Sequence, residues 1–106
     1  MAPVVSLYTF GSPRVGNEAF ASWAGAALGR VRRVARELDI VPHVPPRELI
    51  GYAHLPQELW NRHNATDDWL VACDAENGED PLCSDQEINT STDEHTLYLG
   101  IRGGFC

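Results

Sequence analysis

Two residues of this 106-residue chain have the types and the chain order of the acid and base of a hydrolytic site. Asp39 follows a candidate strand and precedes a proline-rich loop, and His95 lies close to the end of the sequence. In a Ser-His-Asp triad the histidine takes the serine proton and the carboxylate orients the histidine. One large group of serine hydrolases has the order serine, carboxylate, histidine along the chain, and Asp39 before His95 obeys that order.

The nucleophilic serine that this pair needs is not recognisable in the sequence. It is expected upstream of Asp39, in a G-x-S-x-G turn between a strand and a helix. The serines in that part of the chain are Ser6, Ser12 and Ser22, and none of them has the pattern. We therefore expect the turn to lie ahead of residue 1, and the 106 residues to be inactive in ester hydrolysis by themselves.

A strand–helix–strand unit is expected to position Asp39. Val4–Phe10 is mostly apolar, β-branched or aromatic, which is typical of a buried parallel strand. Asn17 is a good helix N-cap, and apolar residues including Trp23 then recur at helical spacing, which predicts a buried helix face. Val31–Leu38 is predicted to be a second, parallel strand. Asp39 then lies at the carboxyl edge of the sheet, where function collects in open α/β proteins.

The rest of the chain is predicted to consist of loops and short elements. Residues 40–46 contain three prolines and are expected to form an extended apolar loop. Glu58–Trp60 and Trp69–Cys73 are expected to form two short strands around a turn. Thr92 is predicted to cap a short final helix, Asp93–Gly100, that carries the candidate base in its first turn.

Four segments of the sequence carry a family resemblance. They are YTFGSPRVGN (8–17), DIVPHVPP (39–46), GYAHLPQELW (51–60) and EHTLYLG (94–100). In this order they resemble segments of the fungal class 3 lipases, a family that includes triacylglycerol lipases and feruloyl esterases. The resemblance implies a partial α/β-hydrolase fold with a C-terminal βαβ unit, short strands and a terminal helix. Residues 1–106 would be the C-terminal portion of a lipase domain, without the half that carries the nucleophile.

The resemblance also assigns roles to individual residues. It implies that Asp39 is the triad acid, that His95 is the triad base, and that Val41, Val44 and Thr96 line the groove for the acyl chain. The apolar side chains of the two valines suit such a groove. The implied substrate is a lipid or other carboxylic ester at a lipid–water interface, and no cofactor is implied. The alternative is a non-catalytic module, derived from a lipase, that binds lipid or protein.

Three cysteines and two glycosylation sequons indicate a secreted protein. Cys73 and Cys83 flank an acidic loop that a local disulfide can close. The resemblance implies this disulfide, and it implies that Cys106 pairs with a cysteine ahead of residue 1. The sequons are at Asn64 and Asn89. No signal peptide is recognised at the start of the sequence, because its first ten residues have no basic region.

The charge of the chain excludes one class of partner. The formal net charge is −7, and residues 67–106 contain ten acidic residues and one arginine. A nucleic-acid partner is not expected, because nucleic-acid binding needs a basic surface. A transmembrane segment is not expected either, because no apolar run has the necessary length.

Other polar residues are given structural roles. A metal site is not expected, because the spacing of the candidate ligands matches no metal signature. These candidates are His43, His54, His63 and Cys73. Arg14 is expected to pair with a carboxylate or a carbonyl group, and His54 and Glu58 are expected to make structural hydrogen bonds.

Overall fold

The computed structural model describes residues 5–87 and 90–103, which form a mixed α/β arrangement. The strands are β1 (Ser6–Phe10), β2 (Gly16–Asn17), β3 (Arg30–Arg36), β4 (Tyr52–Ala53), β5 (Glu58–His63), β6 (Asp68–Ala72), β7 (Leu97–Tyr98) and β8 (Ile101–Arg102). The helices are α1 (Glu18–Ala27) and α2 (Arg47–Ile50), and three 3₁₀ turns span Val41–His43, Ser84–Gln86 and Asp93–Thr96. No helix in the described ranges has both the length and the apolar character needed to cross a membrane.

The predicted strand–helix–strand unit is confirmed as β1–α1–β3. β1 and β3 pair in parallel, from Ser6 opposite Arg30 to Phe10 opposite Val34. The helix begins after Asn17, whose side chain accepts a hydrogen bond from the Phe20 backbone N–H at 2.9 Å. This cap satisfies one of the free N–H groups of the first turn. The main sheet has the order β1-β3-β5-β6, with β5 parallel to β3 and β6 antiparallel to β5.

The apolar cluster between the helix and the sheet is small. It consists of Ala21, Ala24, Val31 and Leu55, so the helix faces the sheet with its alanines. The predicted burial of Trp23 is wrong, because this side chain is 66% exposed.

The predicted burial of β1 is also wrong. This strand is an edge strand that pairs with β3 alone among the described strands, and Leu7, Tyr8 and Phe10 are exposed. Its apolar sequence is typical of a strand with a neighbour at each edge and cover on both faces, whereas among the described strands only β3 pairs with it.

The loop after β3 is more folded than predicted. Val41–His43 is a 3₁₀ turn with proline at its start, and Arg47–Ile50 is a short helix that ends at Gly51 in a left-handed conformation. Proline lacks an N–H, but the first positions of a helix need none, so prolines 42 and 46 initiate turns here instead of preventing them.

The predicted strand pair after this loop is confirmed, whereas the predicted final helix is shorter. β5 and β6 form a hairpin, and the Asn64 side chain accepts hydrogen bonds from the backbone of Thr66 and Asp67 in its turn. Asp93–Thr96 is a 3₁₀ turn that leads directly into the β7–β8 hairpin. A helix cannot continue to residue 100, because Leu99 and Gly100 both have positive φ.

Candidate active site

Asp39 and His95, 56 residues apart in the chain, meet at the carboxyl edge of the sheet. The backbone of Asp39 follows β3 and makes an isolated parallel bridge to Ser91, which brings the last segment of the chain alongside. His95 Nδ1 lies 2.8 Å from Asp39 Oδ2. The carboxylate is fully buried, whereas the imidazole is 41% exposed. With Nδ1 hydrogen-bonded to the acid, Nε2 is the nitrogen left to exchange protons with a reacting group.

The Asp39 carboxylate is held by two further donors. Its Oδ1 accepts a hydrogen bond from the Val41 backbone N–H at 2.9 Å, and its Oδ2 accepts one from the Tyr98 hydroxyl at 2.5 Å. A carboxylate can only accept hydrogen bonds, and three donors fix its plane toward the histidine. Burial and the neighbouring Asp39 raise the pKa of Tyr98, so its hydroxyl stays protonated and donates.

Tyr98 is a site residue that the sequence analysis missed. Its hydroxyl also accepts a hydrogen bond from the Arg36 backbone N–H at 3.0 Å. Its ring packs edge to face on the Phe10 ring, with the two ring centroids 6.1 Å apart. A buried tyrosine needs a partner for its hydroxyl, and Tyr98 lies three residues after His95. That spacing is the one signal in the sequence from which the contact with Asp39 could be anticipated.

Gly11 was also missed, although it lies directly against the pair. It follows β1 with φ of 74°, and a Cβ placed on it would lie 2.7 Å from Asp39 Oδ2 and 2.8 Å from both His95 Nδ1 and the Tyr98 hydroxyl oxygen. Such distances are well inside van der Waals contact, so the backbone approaches this closely because the residue has no side chain.

The three upstream serines do not complete the site. Ser6 lies in β1 and Ser22 in α1, both exposed, and Ser12 donates its hydroxyl to the carbonyl of Pro13 at 3.0 Å. Among the residues that the structure describes, His95 has no hydrogen bond to a serine.

The predicted acyl-groove residues lie on the two segments that carry the acid and the base. Val41 is half-buried on the 3₁₀ turn after Asp39, and Val44 is 40% exposed. Thr96 is half-buried and donates its hydroxyl to the Asp93 carbonyl at 2.8 Å. An apolar cavity of about 250 Å³ lies elsewhere, between α1 and the sheet, and none of the three residues lines it.

Arg14 fastens the loop after Asp39, which agrees with its predicted pairing. It makes two hydrogen bonds with Glu79, at 2.9 and 3.0 Å, and donates to the carbonyls of His43 and Pro45 at 2.6 and 3.1 Å. Burial raises the pKa of Glu79, but hydrogen bonds from Arg14 and other neighbours more than offset burial. The result is a pKa lowered to about 2. Glu79 is therefore ionised, as a buried partner of an arginine must be.

Two further residues have the structural hydrogen bonds predicted for them. His54 Nε2 lies 2.5 Å from the Pro42 carbonyl, and burial lowers its pKa to about 3, so it is neutral and donates. Glu58 accepts hydrogen bonds from the Ser84 hydroxyl and backbone N–H, and burial raises its pKa. His54 thus supports the loop after Asp39, and Glu58 supports the turn at Ser84.

Asp85 provides a pH-dependent test of this buried network. Burial and the nearby Glu79 raise the pKa of Asp85 from 3.8 to about 7. Between about pH 4 and 7, the folded chain therefore keeps a proton on Asp85 that the unfolded chain has released. The contribution of Asp85 to the free energy of unfolding is full below about pH 4 and is lost as the pH rises through 7. We expect Asp85→Asn to gain stability relative to the unsubstituted chain between about pH 4 and 8, by on the order of 2 kcal/mol after allowance for solvent screening.

Urea unfolding of both chains at several pH values measures this gain. The pH dependence from His54 is common to both proteins and cancels in the difference. A difference that does not change with pH would contradict the raised pKa of Asp85.

The disulfide between Cys73 and Cys83 is confirmed, with a Cα–Cα distance of 6.2 Å. Because its sulfur is bonded to Cys83, Cys73 has no thiolate with which to bind a metal ion. Asn64 is exposed at the tip of the β5–β6 hairpin. The other predicted positions, Asn89 and Cys106, lie outside the described residues.

Comparison with known proteins extends the motif resemblance to most of the chain. The family model described as Lipase (class 3) matches residues 2–49. A lipase of Rhizomucor miehei is 38% identical over 94% of this chain and 27% of its own length. A secreted mono- and diacylglycerol lipase of Malassezia globosa is 36% identical over 93% of this chain and 34% of its own length. The chain therefore spans about a third or less of the length of these relatives.

A solved structure shows the likeness in three dimensions. It is a triacylglycerol lipase whose catalytic centre is formed by a serine protease triad. It superposes with a TM-score of 0.81 at 39% identity, over 93% of this chain and 37% of that chain. The fold class implied by the four sequence segments is thereby confirmed.

Proposed function

Because this chain belongs to the class 3 lipase family, we propose that Asp39 and His95 are the acid and base of a Ser-His-Asp triad that hydrolyses lipid esters. The observation that carries the proposal is the 2.8 Å contact between His95 Nδ1 and the buried Asp39 carboxylate. This is the half of a triad that orients the imidazole and stabilises its positive charge.

The proposed mechanism follows from the free face of the imidazole. His95 Nε2 accepts the proton of a serine hydroxyl as the oxygen attacks the ester carbonyl. Asp39 stabilises the resulting imidazolium, which then protonates the leaving alcohol. A water molecule, deprotonated by the same nitrogen, releases the acid and regenerates the serine. The proposal assigns the acid and the base to these 106 residues and assigns the nucleophile to none of the three upstream serines.

The remaining roles are proposals that rest on the same family. Residues 1–106 would form the C-terminal portion of a lipase domain, and Val41, Val44 and Thr96 would contact the acyl chain beside the triad. Secretion is supported by the Cys73–Cys83 disulfide, because disulfides persist in oxidising compartments. The exposed Asn64 would then carry a glycan.

The test joins this chain to the preceding part of a relative. A hybrid places the segment of Rhizomucor miehei lipase that precedes the matched region ahead of residue 1, and both the hybrid and the 106-residue chain are assayed with p-nitrophenyl butyrate. We expect turnover by the hybrid. The 106-residue chain alone should have a rate lower by about 10⁶-fold, as in other triads without serine.

Two outcomes would count against the proposal. Robust turnover by the 106-residue chain, abolished by His95→Ala, would contradict the absence of a nucleophile within it, although it would leave His95 as the base. A hybrid that folds and does not turn over would favour the alternative of a non-catalytic module that binds lipid or protein.

A further inference from the structure

We infer that Arg36 and Glu94 form a buried ion pair that positions His95 for proton transfer, an inference that rests on the proposed function of His95. Arg36 is the last residue of β3, and Glu94 directly precedes the histidine on the Asp93–Thr96 turn. Arg36 Nε donates a hydrogen bond to Glu94 Oε2. The two side chains are only 6% and 17% exposed, so the contact is largely shielded from water.

The turn that carries His95 has few other attachments to the sheet. Its own hydrogen bonds, from the Thr96 hydroxyl to the Asp93 carbonyl and from the His95 N–H to the Thr92 carbonyl, fix its shape but not its place. Among the described residues of the turn, Glu94 and His95 are the ones whose side chains make polar contacts with the main sheet or the segment that follows it. Glu94 Oε1 also lies 3.4 Å from His63 Nε2 on β5, so Glu94 holds the turn against two strands, and the ion pair with Arg36 is the shorter of the two contacts.

Arg36 is itself held firmly enough to serve as an anchor. Its Nη1 lies 3.4 Å from both Asn61 Oδ1 on β5 and Asp68 Oδ1 at the start of β6. Its backbone N–H donates to the Tyr98 hydroxyl, which in turn donates to Asp39. One residue thus connects to the segment before the histidine through its side chain and to the segment after it through its backbone.

The geometry assigns this pair a role in positioning rather than in the chemistry. Neither side chain touches the imidazole nitrogen that exchanges protons. A buried ion pair adds little to stability on average, and its best-supported effect is to select one arrangement of the groups around it. The imidazole is 41% exposed, and a misplacement of about 1 Å can cost a factor of about 10² in rate.

Proton NMR of the full 106-residue chain tests the inference without any need for turnover. The observable is the exchange with water of the imidazole proton between His95 and Asp39. We expect Glu94→Ala to speed this exchange by about tenfold, because the turn opens more often. Glu94→Gln can still accept a hydrogen bond from Arg36, and we expect it to have a smaller effect.

Arg62→Gln is the matched control. Arg62 of β5 pairs with Glu37, directly after β3, at 2.8 Å, but its side chain is 41% exposed and it makes no hydrogen bond to the turn. We expect this variant to change the exchange rate by less than about twofold, because exposed ion pairs contribute little. In the hybrid, Glu94→Ala should lower kcat by about tenfold and leave KM unchanged, since substrate contacts are not altered.

The outcomes separate the inference from the proposed function. A protected proton that Glu94→Ala leaves unchanged in a folded chain overturns the positioning role alone. No such proton in the unsubstituted chain overturns both, and an intact proton in a folded hybrid without turnover counts against the proposed function. Should Glu94→Ala fail to fold, Glu94→Gln and Arg36→Gln carry the same test, and unchanged exchange in both rejects the inference.

Discussion

Alanine in place of His95 is expected to reduce kcat/KM of the serine-containing hybrid by about 10⁶-fold, and asparagine in place of Asp39 by about 10⁴-fold. These values come from other triads and follow from the parts that each residue plays. Without the imidazole no group accepts the serine proton. Without the carboxylate the imidazole is present, but in the wrong proton arrangement.

The geometry around Asp39 explains why asparagine is not a mild replacement. Oδ2 accepts hydrogen bonds from both His95 Nδ1 and the Tyr98 hydroxyl, and the Val41 N–H faces Oδ1. An amide turned to keep the Val41 bond would present its NH₂ group to two donors. The histidine then becomes the acceptor at Nδ1, so the proton moves to Nε2 and the base is blocked.

Asp74→Asn is a suitable control for this pair of variants. Asp74 is an exposed aspartate that accepts hydrogen bonds from the backbone of Glu76 and Asn77 at the opposite end of the sheet. The kcat/KM of the hybrid with Asp74→Asn should match that of the unsubstituted hybrid. Circular dichroism before the assay ensures that lost turnover is not lost folding. A folded Asp39→Asn hybrid with normal turnover would remove Asp39 from the mechanism.

The parts of this molecule that the sequence predicts correctly are those with local causes. The cap at Asn17, the strand–helix–strand pattern and the β5–β6 hairpin depend on neighbours within a few residues. The position of Asp39 follows from them, because it comes directly after a parallel strand. The approach of His95 was predicted from chain order and family motifs rather than from any local pattern.

The features that were missed depend on contacts between distant segments. Tyr98 and Gly11 meet Asp39 from opposite ends of the chain, and neither residue type indicates this by itself. The exposure of Trp23 depends on what lies against the helix, which periodicity cannot reveal. The final helix was overestimated because an acidic first turn favours a helix start but says nothing about its length.

Gly11 offers the second large effect, because its substitution strikes the site through the backbone. We expect Gly11→Ala to lower kcat of the hybrid by about 10²-fold and to abolish the protected proton between His95 and Asp39. The added methyl group would overlap Asp39, His95 and the Tyr98 hydroxyl together. Asp39 is enclosed and Tyr98 is buried, whereas the imidazole is 41% exposed, so His95 is the group that gives way.

Gly51→Ala separates this overlap from backbone strain. Gly51 has φ of 68°, close to the 74° of Gly11, but a Cβ there meets no atom within 4 Å. Both variants carry the left-handed penalty of about 1 to 2 kcal/mol, and only Gly11→Ala adds the overlap with the site. Urea unfolding should therefore show a loss in both, while proton NMR should show a changed His95 in Gly11→Ala alone. Equal effects of the two variants on the His95 proton would mean that strain, and not the close approach of β1, governs the site.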